Sequence, residues 1–395
     1  MVPTLLTTET LFLSEPWLSG LDPIRANRFR RDFGIAQETV LQGVSSGRAS
    51  SAITVWNIWI EFTNDLGLDP FLEAFQDKVP ILQVFAQRVR SGELATNKNP
   101  IRARSVEDYV RFVAQTFLHV GTNDPRLNTA GNMDFRLTRT IAAWKKIDPP
   151  PNRVKPIPIK VIRRIGVIAQ HLPLASQFLR AVADMIIIAF FFLLRPGEYT
   201  DATSDTTPFT FGDVQLFIGH RRLDLNTTPL AELSQARFAS LTFGDQNNGV
   251  RGEVIGLARI GDPYVCPVLA IIRRVVHLQE HSAPFDTPLA RVYGSRSRVT
   301  PAAITKTLRD AVKFLGPDLG FLPADVSARS LRAAGATALL IARVDTDIIR
   351  LLGRWRSDEM LRYLHLQAAP IMADYACRML GADYTLIPNQ LVPSH

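Results

Sequence analysis

Three arginine-bearing segments and one tyrosine hold the residue types from which a reaction can be built. Leu193-Leu194-Arg195-Pro196-Gly197-Glu198 ends the most hydrophobic stretch of the chain with a cation. An arginine against such a stretch is costly unless it meets an anion or a buried carboxylate, and Glu198 is a candidate salt-bridge partner. Val326-Ser327-Ala328-Arg329-Ser330-Leu331-Arg332 sets two arginines three apart, on one face of the first turn of a helix capped by Ser327. Two cations there oppose the helix macrodipole, unless both guanidiniums grip a phosphate beside open backbone N–H groups. The bland alternative is a solvated basic face. In Leu352-Gly353-Arg354-Trp355-Arg356-Ser357-Asp358-Glu359-Met360-Leu361-Arg362-Tyr363-Leu364-His365, Gly353 closes one short helix and Ser357 caps the next, which carries Tyr363. Alone, Tyr363 beside Met360 and Leu364 reads as a core residue. Together, arginines at three distant points, a tyrosine and a flanking Trp or His are what metal-free phosphoryl transfer to tyrosine requires. The phenol attacks a phosphodiester, guanidiniums neutralise the non-bridging oxygens, and a general acid protonates the leaving 5′ oxygen.

The order Arg-x-x-Glu, strand hairpin, [His/Lys/Arg]-x-x-Arg, Leu-Gly-[His/Arg/Trp] and a Tyr ten residues past the Gly resembles the tyrosine recombinases, the phage-integrase-like proteins. The phrases Ser-Leu-Arg-Ala-Ala-Gly-Ala-Thr and Gly-Arg-Trp-Arg-Ser-Asp are similar to integrase-like genes of eukaryotic mobile elements, including Crypton-type transposons. The resemblance implies DNA cleavage and rejoining through a 3′-phosphotyrosine intermediate, with Tyr363 as nucleophile and Arg195 and Arg332 clamping the phosphate. It puts Arg329 where a His or Lys usually stands, and Trp355, or Arg354 one position earlier, at the phosphate-supporting His/Trp place. Glu198 supports Arg195. One departure concerns the general acid. The family carries a lysine on the β-hairpin, whereas this turn reads Gln246-Asn247-Asn248-Gly249, and no lysine occurs between Lys160 and Lys306. Arg251 is the nearest basic side chain, and a pKa above about 12 makes it a poor proton donor. The alternative to an active enzyme is a transposon-derived DNA-binding protein whose catalysis has decayed.

Positioning these residues takes two domains. Asp148–Pro158 (DPPPNRVKPIP) is a stiff proline-rich connector. Residues 1–148 are expected to form a helical, core-binding bundle and 159–395 an α+β catalytic domain with a small antiparallel sheet, joined by 149–158. The spacing predicts helices over Ser50–Leu66, opened by Ser50 or Ser51, then Val79–Val89, Ser105–His119 and Leu137–Ile147. Beyond the connector it predicts helices at Ile159–His171, Ala175–Leu194, Cys266–Leu278, Pro301–Leu315, Ala328–Arg343, Asp345–Leu352, Asp358–Gln367 and Pro370–Leu380. Strands are expected at Phe209–Phe211, Val214–Ile218, Ala239–Phe243 and Gly252–Ala258, with a tight Asn-Gly turn between the last two.

Composition narrows the partners. Of 395 residues 45 are basic, 37 Arg and only 8 Lys, against 37 acidic residues, a net charge of +8. Residues 1–150 carry a net +1 and 151–395 a net +7, so the second part holds the electrostatics. Forked, permanently charged arginines suit phosphate clamping, and the expected partner is double-stranded DNA, bound by a homo-oligomer, a tetramer by resemblance. Arg88, Arg90, Arg102 and Arg104 are candidate DNA contacts from the helical side, along with Arg28, Arg30 and Arg31; Arg251 is a candidate from the hairpin. The 14-residue run Ala181–Leu194 contains Asp184 and is too short to span a membrane. Two cysteines 111 positions apart give neither a disulfide framework nor a zinc site, which points to a reducing, intracellular setting; for a DNA partner that setting is the nucleus in a eukaryote and otherwise the cytoplasm. His277 and His281 stand four apart without a motif carboxylate and read as surface residues. No metal or other cofactor is expected, and no Gly-x-x-x-x-Gly-Lys loop invites ATP.

Overall fold

The computed structural model describes residues 20, 22–42, 46–128, 130–150, 153–171, 176–201, 208–244, 252–356 and 360–361. The chain divides into two compact units, Met1–Pro151 and Asn152–His395. Among the described residues it is mainly α-helical with one small antiparallel sheet, which lies in the second unit.

The first unit contains α1 (Pro23–Gln42), α2 (Ser46–Asp65), α3 (Val79–Ser91), α4 (Ala103–His119) and α5 (Phe135–Ile147). Val106, Val110, Val113 and Phe117 recur at helical spacing on α4 and are all buried, so α4 forms the spine against which α2, α3 and α5 pack. Aromatic rings fill the centre: Trp59 meets Phe85 edge-on at 5.0 Å, and its indole N–H donates to the Pro70 carbonyl at 2.8 Å. Two sequence expectations change here. The Ser51 hydroxyl donates back to the Gly47 carbonyl, so Ser50 and Ser51 lie inside α2 and do not cap it. α1 was not anticipated, because apart from buried Ala26 its described side chains are intermediate or exposed and leave no apolar stripe to read.

The second unit begins with α6 (Ile159–His171) and α7 (Gln177–Phe191). Ala181 to Phe190 are ten consecutive buried residues. A helix apolar on every side must be surrounded, and α7 is packed by α6 and by three helices named below. After α7 come α8 (Pro196–Tyr199), β1 (Val214–Ile218), β2 (Arg221–Arg222), α9 (Leu230–Leu233), β3 (Phe238–Phe243) and β4 (Glu253–Ala258). The sheet order is β2-β1-β3-β4, all antiparallel, and the β3–β4 register ends at Phe243 opposite Glu253, where the hairpin turn leaves. The turn, with Asn247 and Arg251, lies outside the described residues. Then follow α10 (Pro267–Glu280), α11 (Pro301–Leu315), α12 (Ser330–Ile341) and α13 (Thr346–Leu352), of which α10, α11 and α12 pack against α7.

Three expected boundaries move, each for a local reason. Phe209–Phe211 is not a strand: Asp213 accepts from the Thr210 amide (2.7 Å) and hydroxyl (2.8 Å), winding Phe211–Asp213 into a 3-10 turn. The helix expected to reach Leu194 stops at Phe191, since Leu193 turns left-handed (φ 52°) and Pro196 opens the one-turn α8. α12 starts at Ser330 and not at Ala328. The Ser327 hydroxyl accepts from the Arg329 amide (3.3 Å) within a preceding turn, so Ser327 is not its cap. The helices expected at Asp358–Gln367 and Pro370–Leu380 lie outside the described residues, apart from 360–361.

Candidate active site

The carboxyl end of α7 is the assembly point. A helix ends with unpaired carbonyls, and here the chain reverses at Leu193 and exposes the carbonyls of Phe192 and Leu193 to two arginines from far away in sequence. Arg332 donates through Nη1 to the Leu193 oxygen at 3.0 Å and through Nη2 to the Gly353 carbonyl. Arg354 donates through Nη1 to the Phe192 and Leu352 oxygens, each at 3.2 Å, and through Nη2 to the Leu193 oxygen at 3.3 Å. Positive charge at this end also complements the helix macrodipole. Gly335 makes the approach possible: a Cβ there would run into the Phe190 carbonyl and the Leu193 side chain, so only glycine lets α12 come close enough for Arg332 to arrive.

Arg195 caps the one-turn α8. Its amide donates to Glu198 Oε2 (2.8 Å) and its Nη1 to Oε1 (2.9 Å). Glu198 also accepts from Arg354 Nη2 at 3.0 Å, so one carboxylate serves two guanidiniums. Arg354 is buried and lies over the Phe243 ring, 3.9 Å from its centroid, at the end of β3. Burial lowers its pKa to about 10, with Arg195 adding to the depression and Glu198 opposing it, which leaves it charged at neutral pH. Trp355 lies against the other cation: its ring centroid is 4.3 Å from the Arg332 guanidinium. The same ring covers the Cα of Gly353, where a Cβ would collide with the indole. Gly353 ends α13 with φ −81°, and the left-handed residue is Arg354 (φ 58°). That differs from the usual glycine stop, and the covering indole explains why glycine is needed there.

Arg329 is exposed and sits just before α12. Two hydrogen bonds hold its turn: the buried Tyr199 hydroxyl donates to the Ala328 carbonyl (3.0 Å), and the Ala328 amide donates to Thr305 Oγ1 (3.0 Å). Burial also pushes the Tyr199 phenol well above its usual range, so it stays a neutral donor. Beside Arg329 runs an open groove of about 760 Å³ whose lining includes Pro196, Thr305, Lys306, Arg309 and Ser327. Sequence reasoning missed Lys306 and Arg309, although their i, i+3 spacing on the well-capped α11 was there to be read.

The structure therefore brings together Arg195, Glu198, Arg332, Arg354 and Trp355, with Arg329 on the adjoining turn. Tyr363, Asn247 and Arg251 lie outside the described residues. On the helical unit, Arg102 and Arg104 are exposed. Arg88 pairs with Asp65 (3.2 Å) and Glu93 (3.6 Å) and lies over the Phe62 ring. Arg90 is engaged by Asp148 and the Ile101 carbonyl, a structural tie in place of a DNA-facing charge. His277 is corrected outright: it is buried, accepts from the Tyr293 amide at Nε2 (3.0 Å), and packs against His281 with ring centroids 4.7 Å apart. The α10 face that carries it turns inward with Arg274 and Leu278. Among the described residues, no group of three or more His, Cys, Asp or Glu side chains is placed to hold a metal ion, and no helix is long and apolar enough to cross a membrane.

No protein-family model and no curated protein matches the chain. Among solved structures it is similar to the Tn1549 transposon integrase in complex with circular intermediate DNA, at 10% identity over 82% of this chain and 99% of that one, with a TM-score of 0.43. It is also similar to the XerH site-specific recombinase bound to palindromic difH substrate, at 12% identity over 78% and 74% of the two chains, with a TM-score of 0.47. The XerA recombinase is a third, at 13% identity over 83% and 98%, with a TM-score of 0.35.

Proposed function

We propose that this protein is a tyrosine recombinase that cleaves and rejoins double-stranded DNA through a 3′-phosphotyrosine intermediate. The observation that carries the reading is the convergence of Arg195–Glu198, Arg332 and Arg354–Trp355, from three separate segments, on the carboxyl end of α7. Three guanidiniums and one carboxylate leave an excess of positive charge, with Arg195 partly exposed and Arg329 on the next turn. That is the electrostatic surface a pentacoordinate phosphorane needs, because its non-bridging oxygens carry more negative charge than the ground-state diester. Tyr363, ten residues past Gly353, is the nucleophile in this reading: its oxygen gives up the phenol proton and bonds to phosphorus as the bond to the 5′ oxygen breaks, and that leaving oxygen takes up a proton to leave as a hydroxyl. Arg195, partly exposed, and Arg329, exposed, face the phosphate, and Arg332, buried against the Leu193 and Gly353 carbonyls, adds its charge from behind them. Lys306 and Arg309 of the groove, with Arg102 and Arg104 of the helical core-binding domain, add contacts to the DNA backbone. Assembly on DNA as a tetramer and a nuclear site in a eukaryotic host belong to the same proposal.

A second reading is a DNA-binding protein with decayed catalysis, favoured by Asn247 in a turn without lysine. One experiment separates the two. Nicked duplexes made from the DNA on either side of the gene are incubated with the purified protein and with Tyr363→Phe. A covalent protein–DNA adduct that the variant lacks is the expected result. Duplex binding without any adduct supports decay instead, and an adduct that appears only in Asn247→Lys assigns the missing proton donor to the hairpin. Absence of duplex binding at low salt overturns both readings.

A further inference from the structure

We propose that Arg354 is a positioning residue that acts through Glu198 to keep Arg195 electrostatically available to a DNA phosphate. The inference rests on the recombinase reading above and concerns how its arginine cluster is tuned.

Glu198 Oε1 takes the Arg195 guanidinium at 2.9 Å, and Oε2 takes Arg354 Nη2 at 3.0 Å. A single carboxylate cannot neutralise two guanidiniums, so the three-residue group carries +1. Without Arg354 the Arg195–Glu198 pair would be neutral by itself, and a phosphodiester approaching Arg195 would meet one positive charge fewer, with Arg332 the remaining excess cation of the cluster. Exposure decides which cation the phosphate meets: the Arg195 side chain is 31% exposed, that of Arg354 0%. Arg354 is also fixed in place. Four hydrogen-bond acceptors surround its two terminal nitrogens, Phe243 lies under its plane, and the left-handed backbone at this residue sends it to Glu198 while Trp355 goes to Arg332. A residue that merely plugged the end of α7 would need only the carbonyl contacts. The bond to Glu198 is what ties Arg354 to the charge of the site.

The test uses the full chain and a mixed-sequence 30-base-pair duplex, with affinity measured across a range of salt concentrations. Wild type, Arg354→Met and Arg354→Met with Glu198→Gln are compared, each checked for cooperative thermal melting. Arg354→Met is expected to lower the slope of log affinity against log salt by about 1, the equivalent of one phosphate contact. Adding Glu198→Gln removes the neutralising carboxylate and is expected to restore the slope. A slope unchanged in Arg354→Met, or one that Glu198→Gln fails to restore, overturns the inference and leaves Arg354 a structural plug. Should Arg354→Met fail to melt cooperatively, Arg354→Lys replaces it. A lysine keeps the charge beside Glu198 and is expected to keep the slope, and a folded Arg354→Lys with a lowered slope overturns the inference. A wild-type protein that shows no salt-dependent binding defeats the recombinase reading itself, a result distinct from any of these.

Discussion

The backbone at Arg354, φ 58°, decides the fate of two adjacent side chains. Arg354 turns to Glu198 and the α7 carbonyls, and Trp355 turns to the Arg332 guanidinium and covers Gly353. The sequence named both as alternatives for one role but held no means of choosing, because residue spacing carries no information about the sign of a single φ. The family resemblance did expect Arg195, Glu198 and Arg332 in one site, which charge type and order along the chain could not have done alone. The Trp355 indole is nearly buried at 8% exposure, so Trp355→Ala removes a ring that packs on Arg332 and leaves a cavity beside Gly353. The expected cost is about 3–5 kcal/mol of unfolding free energy, read from urea denaturation, with Trp355→Phe losing clearly less. A Trp355→Ala change within ~0.5 kcal/mol of wild type would refute the packing described here.

Among the elements, α11 was legible to the residue because Thr300, Pro301 and Gly316 mark its ends: the Thr300 hydroxyl caps it at the Ala303 amide (3.2 Å), and Gly316 stops it. α1 was hidden for lack of an apolar face, and the true start of α12 was hidden because Ser327 serves a turn with the grammar of a cap. α10 shows a different blind spot. Two histidines four apart read as surface, yet His277 is buried with its Nε2 accepting from Tyr293, and burial first, then Arg274 and His281, depress its pKa to about 4. The unfolded chain regains a histidine of pKa near 6.5. Between about 6.5 and 4 the unfolded state therefore binds a proton that the folded state refuses, so stability present above pH 6.5 drains away as the pH falls. The midpoint of urea unfolding is expected to drop from pH 7 to pH 5, with a shallower drop in His277→Gln; parallel pH profiles for the two proteins would remove His277 from this role.

For the whole molecule, a net charge of +8 matters less than where each arginine is spent. Arg90, held in a largely buried pair by Asp148 and by the Ile101 carbonyl, contributes to the integrity of the helical unit, whereas Lys306 lines the groove beside Arg329 in an exposed, solvent-screened pair with Asp310 (2.7 Å) that a phosphate can displace. Lys306→Ala is expected to lower the salt slope of duplex binding by about 1 with melting unchanged. Arg90→Met is expected to do the reverse, costing about 1–3 kcal/mol of stability through unmet polar groups and leaving the slope alone. Exchanged outcomes for the two variants would mean that the basic surface has been assigned to the wrong residues. The end of α7 has one more consequence, in time instead of energy. The Leu193 carbonyl receives Arg332 from 139 residues further along the chain, and the Phe192 carbonyl receives Arg354 from 162 residues further. Contacts of such sequence separation close large loops and form late, after local helices and hairpins are in place. During synthesis the two carbonyls emerge long before their donors, so a partly made chain has the α7 scaffold without the cationic cluster. The cluster is thus among the last features the folding protein acquires.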